Sequence, residues 1–295
     1  MRSNTPVAMG PLPTVVLVGA MKAGTTSLFV DLVRHPDICG SIDKEPEVLL
    51  KTDDRDEFRA RYGRQFIRAR SGQERLEAST GYTKFGFSES VAGRANGVLP
   101  ERARIIYQVR DPVARTVSHA RHLHRYGQTQ AGSVAEILHE HPEVIGTSRY
   151  HEQLSPWLDA FPGRVRVLFF EDYTGHRAET LQGIVDWLGV PARDPSWIGP
   201  EKPRNQSSEE MGLRSGPLAA IRNSRLYQRI RPWLGHDLRA SLGQAFSYRE
   251  PPPRIQASEA DLSKIHAALE SDIGRFLQLP EVPPCPWEDG WSDVS

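Results

Sequence analysis

Residues 17–28 read LVGAMKAGTTSL, an apolar run that leads into a loop with two glycines, one lysine and three consecutive hydroxyl residues. Glycines allow backbone N–H groups to approach a ligand closely, and a helix that starts after such a loop directs its positive dipole end at the same point. A plain connecting turn is the alternative, but a mobile lysine charge in this setting favours an anion site. The predicted contacts are Lys22, Ala23, Gly24, Thr25, Thr26 and Ser27.

The spacing within this loop differs from that of the common loop that binds nucleoside triphosphates. Gly19 and Gly24 have the separation of the pattern G-x-x-x-x-G-K-[ST], but Thr25 stands where that pattern has lysine. The lysine of this chain lies between the glycines instead. The sequence also offers no convincing aspartate at a strand end that would hold magnesium. Both observations weaken the case for a nucleotide kinase, which is kept as an alternative interpretation. A nucleotide-binding protein without catalytic activity is a second alternative.

A second candidate for anion binding follows residues 105–109, IIYQV, which predict a buried strand. Arg110 stands at the carboxyl end of that strand, where open α/β sheets bind ligands, and its guanidinium can bind a phosphate with two parallel hydrogen bonds. Asp111 and Pro112 suit the start of a helix, which carries Ser118 eight residues after Arg110. A surface ion pair between Arg110 and Asp111 is the alternative. Together with the glycine loop, this motif favours a second phosphate site.

These segments resemble those of one enzyme family. Residues 19–28, GAMKAGTTSL, resemble the 5′-phosphosulfate loop of sulfotransferases that use 3′-phosphoadenosine 5′-phosphosulfate (PAPS), and residues 110–118, RDPVARTVS, are similar to their 3′-phosphate motif. Residues 44–46, KEP, resemble a segment of the bacterial and heparan-sulfate-type branch, in which the glutamate is the catalytic base. The resemblance extends from about residue 13 to about residue 287.

The resemblance implies a reaction and a role for each of these residues. A sulfuryl group would pass from PAPS to a hydroxyl or, as the weaker alternative, an amine of a small-molecule or carbohydrate acceptor, by in-line attack. Lys22 and Glu45 would be the catalytic residues, because a lysine can stabilise charge on the leaving oxygen and a carboxylate can accept the proton of the attacking hydroxyl. Arg110 and Ser118 would bind the 3′-phosphate. No metal is expected, because a sulfuryl group carries less negative charge than a phosphoryl group.

The acceptor side of the predicted site is less sharply defined. Residues 77–82, EASTGY, are similar to a family segment that we place near the acceptor, and residues 47–50, EVLL, stand where the family often has an aromatic pair. Glu47 is a second candidate for the base, and so is His124, since the cytosolic branch of the family uses a histidine. The predicted acceptor contacts are Lys44, Tyr82, His124 and Tyr150. The sequence assigns neither the acceptor itself nor the residues that recognise adenine.

Alternating strands and helices around these motifs predict a P-loop-like α/β fold, with a central parallel sheet flanked by helices. The predicted strands cover residues 15–18, 105–109 and 165–170, and the predicted helices cover residues 25–34, 150–161, 178–188, 259–277 and a stretch that begins at 112. Residues 191–255 show weaker periodicity and indicate an irregular, lid-like insertion. We therefore expect one sulfotransferase domain over residues 13–290, after a flexible N-terminus at residues 1–12.

The composition is that of an ordinary globular protein. The 295 residues include 37 basic and 37 acidic ones, so no net field attracts nucleic acid or an anionic membrane. No apolar run approaches the roughly 20 residues that cross a bilayer. Cys39 and Cys285 match no metal or redox spacing and indicate a reducing compartment, with a single disulfide between them as the alternative. We expect a cytoplasmic, bacterial protein that binds neither nucleic acid nor membranes, and the sequence is silent on its oligomeric state.

Overall fold

The strands of the described residues form a five-stranded sheet with the strand order β2-β3-β1-β4-β5. The computed structural model describes residues 11–191, 193–199, 255–287 and 291. The strands are β1 Val15–Gly19, β2 Ile38–Gly40, β3 Glu74–Ala78, β4 Arg104–Val109 and β5 Val165–Phe169. All neighbouring strands run parallel, so their carboxyl ends lie along one edge of the sheet. The predicted P-loop-like α/β fold is confirmed.

Helices connect the strands. They are α1 Thr25–Leu32, α2 Val48–Lys51, α3 Arg55–Gln65, α4 Ser88–Val98, α5 Pro112–Arg125, α6 Val134–Glu140, α7 Glu143–Gly146, α8 Tyr150–Ala160, α9 Phe170–Gly175, α10 Arg177–Trp187 and α11 Glu259–Leu277. Short 3₁₀ turns occupy Thr80–Thr83 and Pro195–Ile198. In the part of the chain that the structure describes, no helix is both long and apolar enough to cross a membrane.

Strand β1 lies at the centre of the sheet because its sequence, VVLVG, can be buried on both faces. It pairs with β3 on one side and with β4 on the other. Side chains along a strand point alternately to the two faces of its sheet. Val15 and Leu17 join an apolar cluster with Leu28 of α1, whereas Val16 and Val18 point to the opposite face and are equally buried. The sheet is therefore covered on both faces around β1.

The chain divides into two compact units. The first consists of Met1–Thr116, Glu143–Pro200 and Lys264–Ser295 and contains the sheet, and the second consists of Val117–Pro142 and Glu201–Ser263. In the described part of the second unit, Ser133 caps α6 by accepting a hydrogen bond from the backbone N–H of Glu136. The single domain over residues 13–290, the insertion at 191–255 and the flexible residues 1–12 stay predictions, because most of the insertion and nearly all of the N-terminus lie outside the described residues.

Candidate active site

The glycine loop that follows β1 is held in one conformation by its neighbours. Gly24 has a φ of 80°, in the left-handed region that residues with a Cβ rarely adopt. A Cβ at this position would lie 2.5 Å from the ring of Phe170. The side-chain amide of Gln108 on β4 donates a hydrogen bond of 2.6 Å to the carbonyl of Ala23. The loop therefore needs glycine at residue 24 and is fixed to the neighbouring strand.

Lys22 and the start of α1 have the features of an anion site. Lys22 has a φ of 71°, which a residue other than glycine adopts only when its surroundings hold it there. Helix α1 begins at Thr25 with no side-chain cap and no acidic residue in its first turn, so its first N–H groups present the positive end of the helix dipole. Thr25 is buried, whereas Lys22, Thr26 and Ser27 are half-buried. Their predicted contacts with a phosphosulfate stay predictions.

Arg110 lies directly after β4, at the carboxyl edge of the sheet. Its guanidinium carbon is 5.2 Å from the centre of the Phe170 ring, the same ring that lies against Gly24. Asp111 instead caps α5, because its carboxylate accepts a hydrogen bond of 2.7 Å from the backbone N–H of Ala114. Between these two described residues the alternative ion pair of Arg110 with Asp111 is not formed. Phe170 thus brings the two predicted anion-binding elements together.

Two further hydrogen bonds fix the backbone around Arg110. The carboxylate of Glu171 accepts one from the backbone N–H of Asp111 at 3.1 Å, and it also accepts one from the indole of Trp287 at 3.1 Å. The hydroxyl of Tyr150 donates to the carbonyl of Arg110 at 2.7 Å. The guanidinium therefore extends from a backbone that is held from two sides.

The segment that carries Glu45 returns to the same edge of the sheet. The backbone N–H of Glu45 donates to the carbonyl of Ala78, the last residue of β3, at 2.8 Å. Its carboxylate accepts hydrogen bonds from the hydroxyl of Thr80 at 3.1 Å and from the ammonium of Lys44 at 2.7 Å. The side chain of Glu45 is 39% exposed, so a ligand can reach it. Because β3 and β1 are parallel neighbours, Glu45 and the glycine loop share one edge of the sheet.

Two of the predicted acceptor contacts, Tyr82 and Tyr150, are fully buried. Their hydroxyls donate to the carboxylate of Glu77 and to a backbone carbonyl, respectively. Both hydroxyls therefore form hydrogen bonds with buried protein groups, which differs from the predicted contact with an acceptor. Ser118 and His124 lie half-buried on α5, in the second compact unit. Their roles at the site stay predictions.

Three residues that shape this edge of the sheet were not among the predicted site residues. They are Gln108, Phe170 and Glu171. Gln108 is the last residue but one of β4, and the other two directly follow β5. In parallel sheets the residues at the carboxyl ends of neighbouring strands meet around one ligand. The signal that singled out Arg110 therefore applies equally to the residues after β5.

Comparison with known proteins bears on the family of this chain. Residues 55–194 match the model of the sulfotransferase family. The matched region includes Arg110, Ser118 and Tyr150 and begins after the glycine loop and Glu45. A search of curated protein sequences gave no match.

Two solved structures share the fold. A sulfotransferase from Alicyclobacillus acidocaldarius is 23% identical and has a TM-score of 0.55, with 88% of this chain and 95% of that chain covered. The sulfotransferase domain from the curacin biosynthetic pathway is 14% identical and has a TM-score of 0.50, with 88% and 98% covered. At these identities the likeness is one of fold. The family match over residues 55–194 and the shared fold both agree with the predicted sulfotransferase family.

Proposed function

We propose that this protein transfers a sulfuryl group from PAPS to a hydroxyl or, as the weaker alternative, an amine of a small-molecule or carbohydrate acceptor. The position of Phe170 carries the proposal, because its ring lies against both Gly24 and Arg110. The two proposed anion-binding elements therefore adjoin at one edge of the sheet. A ligand with two anionic groups, a 5′-phosphosulfate and a 3′-phosphate, suits this arrangement. The carboxylate of Glu45 belongs to a segment anchored at the same edge.

The residues present fit such a donor. The N–H groups at the uncapped start of α1 and the ammonium of Lys22 would hold the 5′-phosphosulfate. The absence of a side chain at Gly24 lets Phe170 and Gln108 pack against the loop and hold it in place. The guanidinium carbon of Arg110 lies over the Phe170 ring, and the N–H donors of this guanidinium would bind the 3′-phosphate. Ser118 is the proposed second contact of that phosphate.

PAPS supplies the sulfuryl group of the proposed reaction. A bond forms between the acceptor oxygen and sulfur while the bond from sulfur to the 5′-phosphate oxygen breaks, which leaves adenosine 3′,5′-bisphosphate. Lys22 stabilises the negative charge that develops on the leaving oxygen. The proposal assigns no role to a metal ion, because the sulfuryl group carries less negative charge than a phosphoryl group.

Glu45 is the proposed base that takes the proton of the attacking hydroxyl. The hydrogen bond from Thr80 and the ion pair with Lys44 orient its carboxylate. Glu47 is the weaker candidate of the two glutamates, because its carboxylate lies against the buried Gly81 and its side chain is less exposed. Exposure and orientation together favour Glu45.

A transfer assay with radiolabelled PAPS tests this proposal. We expect the wild-type protein to label an acceptor in a panel of alcohols, phenols, sugars and amines, and Glu45→Gln to lower the rate by about 100-fold or more. Glu101→Gln is the matched control, because Glu101 is exposed and precedes β4 at the opposite edge of the sheet. A loss in Glu47→Gln alone would move the role of base to Glu47.

Two other results would contradict the proposal in different ways. Magnesium-dependent transfer of phosphate from ATP, unaffected by adenosine 3′,5′-bisphosphate, would identify a kinase. Binding of the bisphosphate without transfer of label to any acceptor in the panel would identify a nucleotide-binding protein without transferase activity.

A further inference from the structure

Glu77 on β3 is a fully buried carboxylate with no place in the proposed transfer chemistry. Three hydroxyl groups surround it. Oε1 accepts hydrogen bonds from Ser79 at 2.7 Å and from Tyr82 at 2.5 Å, and Oε2 accepts one from Tyr62 at 2.6 Å. Burial raises the pKa of Glu77, and the three hydroxyl donors oppose that rise. Burial of a carboxylate costs free energy unless hydrogen bonds compensate for the lost water, and here three hydroxyls supply those hydrogen bonds.

Two of these hydroxyls also hold the segment that carries Glu45. The backbone N–H of Glu47 donates to the hydroxyl of Ser79 at 3.1 Å, and the backbone N–H of Leu49 donates to the hydroxyl of Tyr82 at 3.2 Å. A backbone N–H can only donate, so each hydroxyl must direct its own hydrogen elsewhere. The acceptor that both hydroxyls share is Oε1 of Glu77. Glu77 therefore fixes the direction in which Ser79 and Tyr82 present their lone pairs.

The segment held in this way has an unusual backbone. Glu45 has a φ of 63° and Glu47 has a φ of 50°. Residues other than glycine persist in the left-handed region only when their surroundings determine the conformation. Besides the two hydroxyls, the ammonium of Lys51 donates to the carbonyl of Pro46 at 2.6 Å. Every one of these contacts lies within the first compact unit.

We propose that Glu77 is a positioning residue of the transferase: through Ser79 and Tyr82 it holds residues 45–49 and so places the carboxylate of Glu45 against the acceptor. This inference rests on the proposed function. Donor binding depends on other elements, the glycine loop and Arg110. Loss of the Glu77 contacts is therefore expected to lower the rate of transfer while the affinity for the donor is preserved.

The three hydroxyls provide a matched test. Tyr82→Phe and Ser79→Ala each remove a hydroxyl that joins Glu77 to the segment. Tyr62→Phe removes a hydroxyl from the same carboxylate, and within the described chain no hydrogen bond joins that hydroxyl to residues 45–49. We expect kcat to fall by about tenfold in Tyr82→Phe and in Ser79→Ala, since each loses one oriented hydrogen bond. In Tyr62→Phe we expect kcat to stay within about twofold of wild type.

Variants of Glu77 itself separate geometry from charge. Glu77→Gln keeps an oxygen that can accept from Ser79 and Tyr82 and adds an N–H that can donate to Tyr62, so we expect it to retain most of the activity. Glu77→Leu keeps the bulk but loses the acceptor, so we expect kcat to fall by about tenfold or more. KM for PAPS should change by no more than about twofold in either variant that folds. If Glu77→Leu does not fold, the tyrosine and serine variants still decide the question.

Hydrogen exchange gives a readout that does not depend on activity. Exchange of the amides of Glu47 and Leu49 should be faster in Ser79→Ala and in Tyr82→Phe, respectively, and unchanged in Tyr62→Phe. Equal kcat values and equal exchange in Tyr82→Phe and Tyr62→Phe would overturn the inference. If the wild-type protein transfers no sulfuryl group, the proposed function itself fails, and the exchange data still decide whether Glu77 holds the segment.

Discussion

The glycine loop and the Glu45 segment lie at the same edge of the sheet but are held by different means. The loop is fixed through its backbone. Phe170 packs against Gly24 where a side chain would otherwise lie, and the side-chain amide of Gln108 on β4 donates to the carbonyl of Ala23. The Glu45 segment is fixed through side chains, by hydroxyls that a buried carboxylate orients. This contrast predicts that donor affinity and rate of transfer respond to different substitutions.

The largest effect, on donor affinity, is expected from Gly24→Ala, which alters the glycine loop. The added methyl group would both strain the left-handed backbone at residue 24 and lie 2.5 Å from the Phe170 ring. Together these effects should lower the affinity for adenosine 3′,5′-bisphosphate by about 100-fold or more, measured by calorimetry. Gly72→Ala is the matched control, because Gly72 has a φ of 85° but no atom within 4 Å of its added Cβ. Equal affinities in the two variants would contradict this account of the loop.

A smaller effect, on the rate of transfer, is expected from Thr80→Val, which alters a contact of the Glu45 segment. The variant is close in size to wild type but loses the hydroxyl that donates to the Glu45 carboxylate. The rate of transfer should fall by about tenfold, with the affinity for the bisphosphate unchanged. Thr80→Ser keeps a hydroxyl and should restore most of the rate. A variant that loses donor affinity but keeps its rate would show that the two regions are not separable.

The smallest effect on the site is expected from Asp31→Asn, at the far end of α1. Asp31 accepts hydrogen bonds from Arg177 at 2.7 Å and from Tyr173 at 2.5 Å. Burial acts to raise the pKa of Asp31, but these partners outweigh it and hold that pKa below its usual value. The variant should lose about 2 kcal/mol of unfolding free energy at pH 7, measured by denaturant unfolding, with bisphosphate affinity unchanged.

The pH dependence of that loss has a definite sign. A carboxylate whose pKa is lower in the folded protein stabilises it above the unfolded pKa, and this stabilisation disappears as pH falls through the folded pKa. The difference in unfolding free energy between wild type and Asp31→Asn should therefore shrink below about pH 4. A difference that stays constant from pH 7 to pH 3 would contradict the assignment of the ion pair.

The sequence predicted the elements whose patterns are strong. The apolar run of β1, the strand before Arg110 and the periodic helix α11 all lie where the patterns placed them. Strand β3 was missed because its sequence, ERLEA, is largely charged and reads as exposed. Its buried glutamate accepts hydrogen bonds from Ser79 and Tyr82, which are close in the chain, and from Tyr62 on α3, which is 15 residues away. No local pattern reports a contact of that kind.

The site was predictable to the extent that its residues follow strands or belong to motifs. The loop residues and Arg110 could be chosen in this way, and the structure places both against one aromatic ring. Phe170, which supplies that ring, directly follows an apolar strand, and this sequence context suits a buried core residue as well as a residue of the site. The burial of Tyr82 and Tyr150 was not predicted, because a tyrosine beside a motif suits a ligand contact or the interior equally well. Tertiary packing decides between these positions.

Titration of adenosine 3′,5′-bisphosphate by calorimetry, into the wild-type protein and into Arg110→Ala, tests the central claim most directly. The account predicts binding without magnesium and a loss of about 10- to 100-fold in affinity for the variant, because a charge-assisted contact with the 3′-phosphate is removed. Arg102→Ala, which removes an exposed arginine paired with Glu74, should leave the affinity unchanged. No binding to the wild-type protein, or equal binding to wild type and Arg110→Ala, would contradict the account.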